Sequence, residues 1–315
     1  MPIIGLLIII SMFSNIAEAE EDTINIVCSN TVLADFTSNI ISENVTISYI
    51  MPGGACPAHF DTTPSDIQTC VNADIVISLG WEPWLSGLLN SSGNTDYQEI
   101  KCLGLGEWSL PSNAIKFVEK IRDGLSDILP EHNSTIQNNA NNYLDEINET
   151  ADFLKNMVDK LGYNNRPVIP MLWQKDFIGS LGFDVINSYA PPEGLSTQDK
   201  LNISESAISE NACAIIDNLQ SGTDFGAQIA KESGASHVIF TNFPGAIDDV
   251  DSYLDVLNYN TVELVKGITI YDYTQENSDN IQNTDELVFQ RNAALTIALM
   301  AFIIALVLVV LYKKK

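Results

Sequence analysis

The chain has 315 residues, with 15 Lys+Arg against 41 Asp+Glu, a formal net charge of −26 and 45% hydrophobic content. That length suits two domains, and the apolar content argues against disorder over most of the chain. So acidic a surface argues against a nucleic acid partner and against docking on anionic lipid through a basic face, and it fits high solubility.

Residues Met1–Ala19 read as a secretory signal. An apolar run from Ile3 to Phe13 precedes Ala17-Glu18-Ala19, an A-x-A-like cleavage site. The run is far shorter than the roughly 20 residues a membrane span requires.

From Ile24 to Asp127 short apolar runs alternate with helical patterns. Ile24–Cys28, Val45–Ile50 and Ala73–Leu79 read as strands. Thr31–Ile41, with Val32, Leu33, Phe36 and Ile40 at helical spacing, and Pro64–Val71 read as helices. Near-continuous apolar strands separated by helices predict a parallel sheet covered on both faces. Cys28, Cys56, Cys70 and Cys102 all fall in this part, where an oxidising compartment would allow three pairings; Cys213 reads as a buried core residue.

Glu131–Gly162 is polar, with Tyr143, Leu144, Ile147, Phe153, Leu154 and Val158 at three- and four-residue steps. It predicts a helix of about 28 residues and about 42 Å. The strand–helix pattern then resumes. Pro167–Ile169, Phe183–Ile186, Ala212–Ile216 and His237–Phe240 read as strands, and Asp176–Leu181 and Gly222–Ser233 as helices. Residues 271–290 form a polar, acidic stalk, and Ala293–Tyr312 is an uncharged apolar run closed by Lys313, Lys314 and Lys315. At 1.5 Å per residue such a run spans about 30 Å, and the lysines put its end in the cytoplasm. Sequons at Asn44, Asn90, Asn133, Asn148 and Asn202 agree with export.

The expected organisation is therefore a signal peptide (1–19), an N-terminal α/β lobe (22–130), a connecting helix (131–163), a C-terminal α/β lobe (164–270), a stalk (271–290) and a transmembrane anchor (293–312). The fold class is α/β: two Rossmann-like lobes with parallel sheets joined by one long helix, plus a C-terminal transmembrane helix. Ligands of open α/β sheets bind outside the carboxyl ends of the strands, which predicts a site in the cleft between lobes.

One loop carries chemistry. Pro52-Gly53-Gly54-Ala55-Cys56-Pro57-Ala58-His59-Phe60-Asp61-Thr62-Thr63-Pro64-Ser65-Asp66 follows the second strand. Its prolines and glycines stiffen the backbone and keep His59 out of regular structure, where a neutral imidazole is a good transition-metal ligand. No GxSxG, Walker-A, GxGxxG or HExxH motif occurs, so the sequence does not read as an enzyme.

This loop, with Ala73-Asp74-Ile75-Val76 and Gly80-Trp81-Glu82-Pro83-Trp84-Leu85, resembles the metal-binding solute-binding proteins of zinc and manganese ABC importers over roughly Ile24–Ile268. The resemblance implies two lobes, a metal site in the cleft, and a permease and ATPase on separate chains. It makes His59 the first metal ligand. Met171 stands where the family usually has a second His, with Gln174 able to reach from the start of the next helix. Asp217 aligns with the third ligand, normally Glu, and Asn242 with the fourth, normally Asp. Cys56 and Met171 with His59 would make a soft set suited to Cu(I); Asp217, Asn218 and Asn242 would make a hard set suited to a hydrated divalent ion. The cargo is expected to be a divalent or soft transition metal ion, or a metal chelate lined by Trp81, Trp84 and Trp173. The competing reading is a cell-surface adhesion protein that reuses the fold without transport.

Overall fold

A computed structural model describes residues 23–41, 43–278, 295–303, 305, 306 and 309. The chain divides into two compact units. The first comprises residues up to Leu105 with Ile115–Asp145, and the second Gly106–Ala114 with the residues from Glu146 onward.

In the first unit β1 (Ile24–Asn30), β2 (Val45–Met51), β3 (Ile75–Ser78) and β4 (Gln98–Lys101) form a parallel sheet in the order β2-β1-β3-β4. One face carries Val27, Ile50 and Val76, packed with Cys70 of α2 (Pro64–Cys70) and with Leu85, Leu88 and Leu89 of α3 (Leu85–Ser92). Away from that cluster, Phe36 of α1 (Thr31–Ile40) meets Phe117 of α4 (Pro111–Ile128) at 6.3 Å and Tyr143 of α5 (Asn133–Lys160) at 6.2 Å. Each such buried aromatic contributes about 1.5–3 kcal/mol by leaving water. The 28 residues of α5 match the helix length predicted from its periodicity.

The second unit repeats the plan with β5 (Pro167–Pro170), β6 (Asp184–Val185), β7 (Ala214–Asn218) and β8 (Ser236–Phe240) in the order β6-β5-β7-β8. Its helices include α6 (Lys175–Ser180), α7 (Thr197–Ser209), α8 (Asp224–Ser233) and α9 (Tyr253–Ser278). Ile169 and Ile215 face a cluster with Ile203 and Ala207 of α7 and Phe225, Ile229 and Ala230 of α8. Helix α9 packs against β7 and β8. Gly267 is required there, because a Cβ on it would stand 2.4 Å from Val238 Cγ2.

One expected boundary moves. Gly106–Ala114 belongs with the second unit, because the Trp108 indole donates to the Asn242 carbonyl (2.8 Å) and its own carbonyl accepts the Tyr253 hydroxyl (2.9 Å). Of the expected stalk 271–290, the part up to Ser278 is helical, as the end of α9, and the rest lies outside the described residues. Arg166 grips Asp272 through both guanidinium ends, Nη1 to Oδ2 at 3.0 Å, and so pins that turn of helix. Among the described residues no helix is long and apolar enough to cross a membrane. Residues 295–303 are helical, but most of the remainder of the expected span 293–312, and the whole of the signal 1–19, lie outside the described residues. No disulfide joins the cysteines: all five are free thiols, with Cys28, Cys70, Cys102 and Cys213 buried.

Candidate functional site

His59 lies in the loop after β2, and its ring is exposed. Two turns brace the loop, Ala55 N–H to Pro52 O (3.0 Å) and His59 N–H to Cys56 O (3.1 Å). Trp84 fixes it from the side: its indole donates to Pro57 O at 3.0 Å, and its ring meets Phe60 edge-on at 5.1 Å. The Asp66 carboxylate then accepts from the Thr63 backbone at 2.7 Å and starts α2. Trp84 is therefore a brace rather than an open lining surface. Trp81, by contrast, is 50% exposed. Glu82 next to it is buried and holds its own turn, accepting from Leu79 N–H (2.8 Å) and Trp81 N–H (3.0 Å).

In the second unit the structure brings Gln174 and Asn242 together. Gln174 sits where the 3-10 turn Leu172–Gln174 runs into α6, with no solvent exposure, and its Nε2 donates to Asn242 Oδ1 at 3.3 Å. Gln174 Oε1 has no hydrogen-bond partner among the described residues. Asn242 follows β8 and is 9% exposed; its carbonyl receives the Trp108 indole, and its N–H donates to Gln220 Oε1 at 3.1 Å.

Asp217 and Met171 are engaged elsewhere. Strand β7 runs on to Asn218, so period-two alternation puts Asp217 on the same face as Ile215, toward α8. There Asp217 Oδ1 accepts the Tyr189 hydroxyl at 2.6 Å and Oδ2 lies 2.7 Å from His237 Nε2. Burial and the Asp217 charge both push the Tyr189 phenol up, so it keeps its proton and donates. A Cβ on Gly226 would stand 2.2 Å from Asp217 Oδ2, so only glycine lets α8 close over this carboxylate. Met171, with no exposed surface, belongs to the same buried cluster as Ile169, Ile215 and Phe225. Trp173 packs against that cluster as well.

Glu107 was not singled out by motif. It precedes Trp108, and burial together with the Asp176 charge raises its carboxyl above the ordinary value. The signal available in the sequence was the Glu107-Trp108 pair itself, which carries no metal-ligand spacing. Among the described residues no group of three or more His, Cys, Asp and Glu side chains is gathered as a metal cluster.

The chain is thus a two-unit α/β protein with a parallel sheet in each unit and an imidazole on a braced loop. Residues 26–267 match the family model described as "ZnuA: Zinc-uptake complex component A periplasmic", and the chain belongs to that family. Among curated relatives it is 25% identical over 268 residues to a manganese-binding lipoprotein, MntA, of Halalkalibacterium halodurans, covering 78% of this chain and 89% of that protein. It is 24% identical over 267 residues to the iron-binding protein YfeA of Yersinia pestis, covering 77% and 85%. A periplasmic metal-binding protein of Candidatus Liberibacter asiaticus superposes with a TM-score of 0.67 at 19% identity, covering 78% of this chain and 99% of that one, so the two share a fold.

Proposed function

We propose that the protein captures a transition-metal ion outside the cytoplasm and delivers it to an ABC permease and ATPase carried on other chains. The observation that carries this reading is His59, an exposed imidazole on a loop held by Trp84 and the backbone turns, in a chain of the zinc-uptake family. Named relatives bind manganese or iron, which supports a divalent ion as cargo.

In the first unit we assign a ligand role to His59; in the second, taken by itself, the side-chain oxygens of Gln174 and Asn242 are the candidate donors, brought together by their own hydrogen bond. Met171 is sealed in an apolar cluster, which speaks against the soft, thioether-containing set and for an oxygen-rich one. Asp217 is better read as a structural carboxylate, since both its oxygens already have partners.

We read residues 1–19 as a cleaved signal and 293–312 as a membrane anchor with its lysines inside, on the strength of hydrophobic length and flanking charge. The sequon asparagines 44, 90, 133, 148 and 202 are all exposed, which supports glycan attachment on an exported surface. The test is elemental analysis of the full chain purified from its native membrane. One manganese, iron or zinc ion per chain is expected; protein that stays metal-free after incubation with all three contradicts the reading.

A further inference from the structure

A cavity of about 640 Å3 opens at one edge of the second unit, a volume within the range of about 300–1,000 Å3 that ligand pockets occupy. Helix α6 supplies Lys175, Asp176 and Gly179 to it, and the chain running through β6 supplies Phe183, Val185 and Ser188. Leu110 closes the remaining side. Its turn is fixed to the unit, since Leu110 N–H donates to Glu107 O at 3.2 Å and Ser109 Oγ donates to Trp173 O at 2.8 Å.

Three polar side chains line this cavity with no hydrogen-bond or ion-pair partner among the described residues. Lys175 is half-buried and has no acceptor, and Asp176 beside it has no donor. Ser188 spends its N–H on Asn187 Oδ1 at 2.8 Å and leaves its hydroxyl unused. The backbone adds a fourth uncommitted group. Strand β6 is the edge of its sheet and pairs with β5 alone. The Asp184 and Ile186 N–H groups point inward, to Arg166 O at 3.0 Å and Val168 O at 3.2 Å. Alternation along the ladder therefore turns the Val185 N–H and C=O outward, on the side where Val185 borders the cavity.

A metal ion would meet only Asp176, and a simple anion would meet Lys175 while being repelled by Asp176. A ligand that bears both charges and an amide meets all of these groups. An extended peptide pairs its main chain with an exposed strand edge. Its free termini bring a carboxylate and an ammonium, which form the stronger, charge-assisted hydrogen bonds.

We propose that this cavity binds a short peptide with free termini. Its main chain adds to the edge of β6 at Val185, its carboxylate meets Lys175, its amino group meets Asp176, and an apolar side chain rests against Leu110 and Phe183. The assignment does not depend on the metal-capture reading.

The experiment is calorimetric titration of the full chain, with chelator present, against three probes: the tripeptide Ala-Leu-Ala, the same tripeptide acetylated and amidated at its ends, and free leucine. The unblocked tripeptide is expected to bind at one site per chain. The blocked form should bind at least about tenfold more weakly, because both charge-assisted contacts are lost. Leucine should also bind at least about tenfold more weakly, since it has no peptide group to pair with Val185. Lys175→Gln should weaken tripeptide binding by about tenfold or more. Gly179→Leu places its side chain where a Cβ meets nothing within 4 Å, so it is expected to fold as wild type does, checked by its melting temperature, and to abolish binding by filling the cavity. Wild type that does not bind the unblocked tripeptide overturns the proposal. Equal affinity for the blocked and free forms, or Lys175→Gln within about twofold of wild type, overturns the charge recognition. Leucine binding as tightly as the tripeptide overturns the pairing with β6, and undiminished binding by folded Gly179→Leu overturns the location.

Discussion

Tyr189 gives its hydroxyl proton to Asp217 at 2.6 Å, inside a unit where that carboxylate has no solvent contact. The pair, with His237 on the other oxygen, is what holds α8 against the sheet at Gly226. A buried charge left without one of its donors is costly, so Tyr189→Phe should destabilise the protein by about 1–3 kcal/mol. Gly226→Ala should also destabilise, although alanine favours an ordinary helix interior by about 1 kcal/mol over glycine. Urea unfolding at neutral pH measures both. A Gly226→Ala variant as stable as wild type would mean that α8 does not close on Asp217.

Reactive thiol chemistry should be confined to one position. Burial pushes Cys28 and Cys102 up to about 12 and Cys70 and Cys213 up to about 11. At pH 8 these four are protonated and shielded, and Cys56 alone is half-exposed. A disulfide reagent such as DTNB is expected to modify one thiol quickly in native protein and all five in guanidinium. Two or more fast equivalents in the native state would contradict the packing of both sheets.

The metal-free protein should lose stability as pH rises past the ordinary Glu range. Burial and Asp176 raise the Glu107 carboxyl above 4.5, so in the window between 4.5 and its folded-state value the folded chain binds more protons than the unfolded one. Stability therefore falls through that window as pH increases, and Glu107→Gln should remove this part of the slope. The measurement is ΔG from urea melts between pH 4.5 and 7 with chelator present; identical slopes for the two proteins would contradict it.

The Trp108 indole holds the Asn242 backbone, which on the proposed reading makes it a positioning residue. Trp108→Phe keeps a ring against Phe243, 5.2 Å away in wild type, and removes only the N–H that bonds the Asn242 carbonyl at 2.8 Å. The expected cost is about 1 kcal/mol of stability and a loss of several-fold in Mn2+ affinity. Unchanged affinity would detach Asn242 from the metal site.

Fold class and the long helix were legible because apolar pattern is a property of side chains in sequence: near-continuous apolar strands separated by helices pointed to both parallel sheets, and Tyr143, Ile147, Leu154 and Val158 to α5. The place of His59 in a braced loop was legible because Pro57 and the Thr63–Asp66 helix start frame it. Gln174 was legible as a helix-start residue, and it meets Asn242. The surroundings of Asp217 were not legible because they turn on where β7 ends. Two further residues of strand aim its carboxylate at Tyr189 and His237 beneath α8. Met171 misled for a related reason: a bridge to Tyr189 extends the β5 pattern past Pro170 and turns the thioether into the core. Glu107 was invisible because the charge that helps to raise its carboxyl, Asp176, lies far away in the chain, and no local spacing announces it.

The central claim is that an imidazole on a braced loop captures a metal ion, and calorimetric titration of wild type and His59→Ala with Mn2+ and Zn2+ tests it most directly. The account predicts one site per wild-type chain and an affinity at least about tenfold weaker in His59→Ala, with the metal-free melting temperature unchanged because the ring is exposed. Equal affinities in the two proteins would remove His59 from the site and contradict the account.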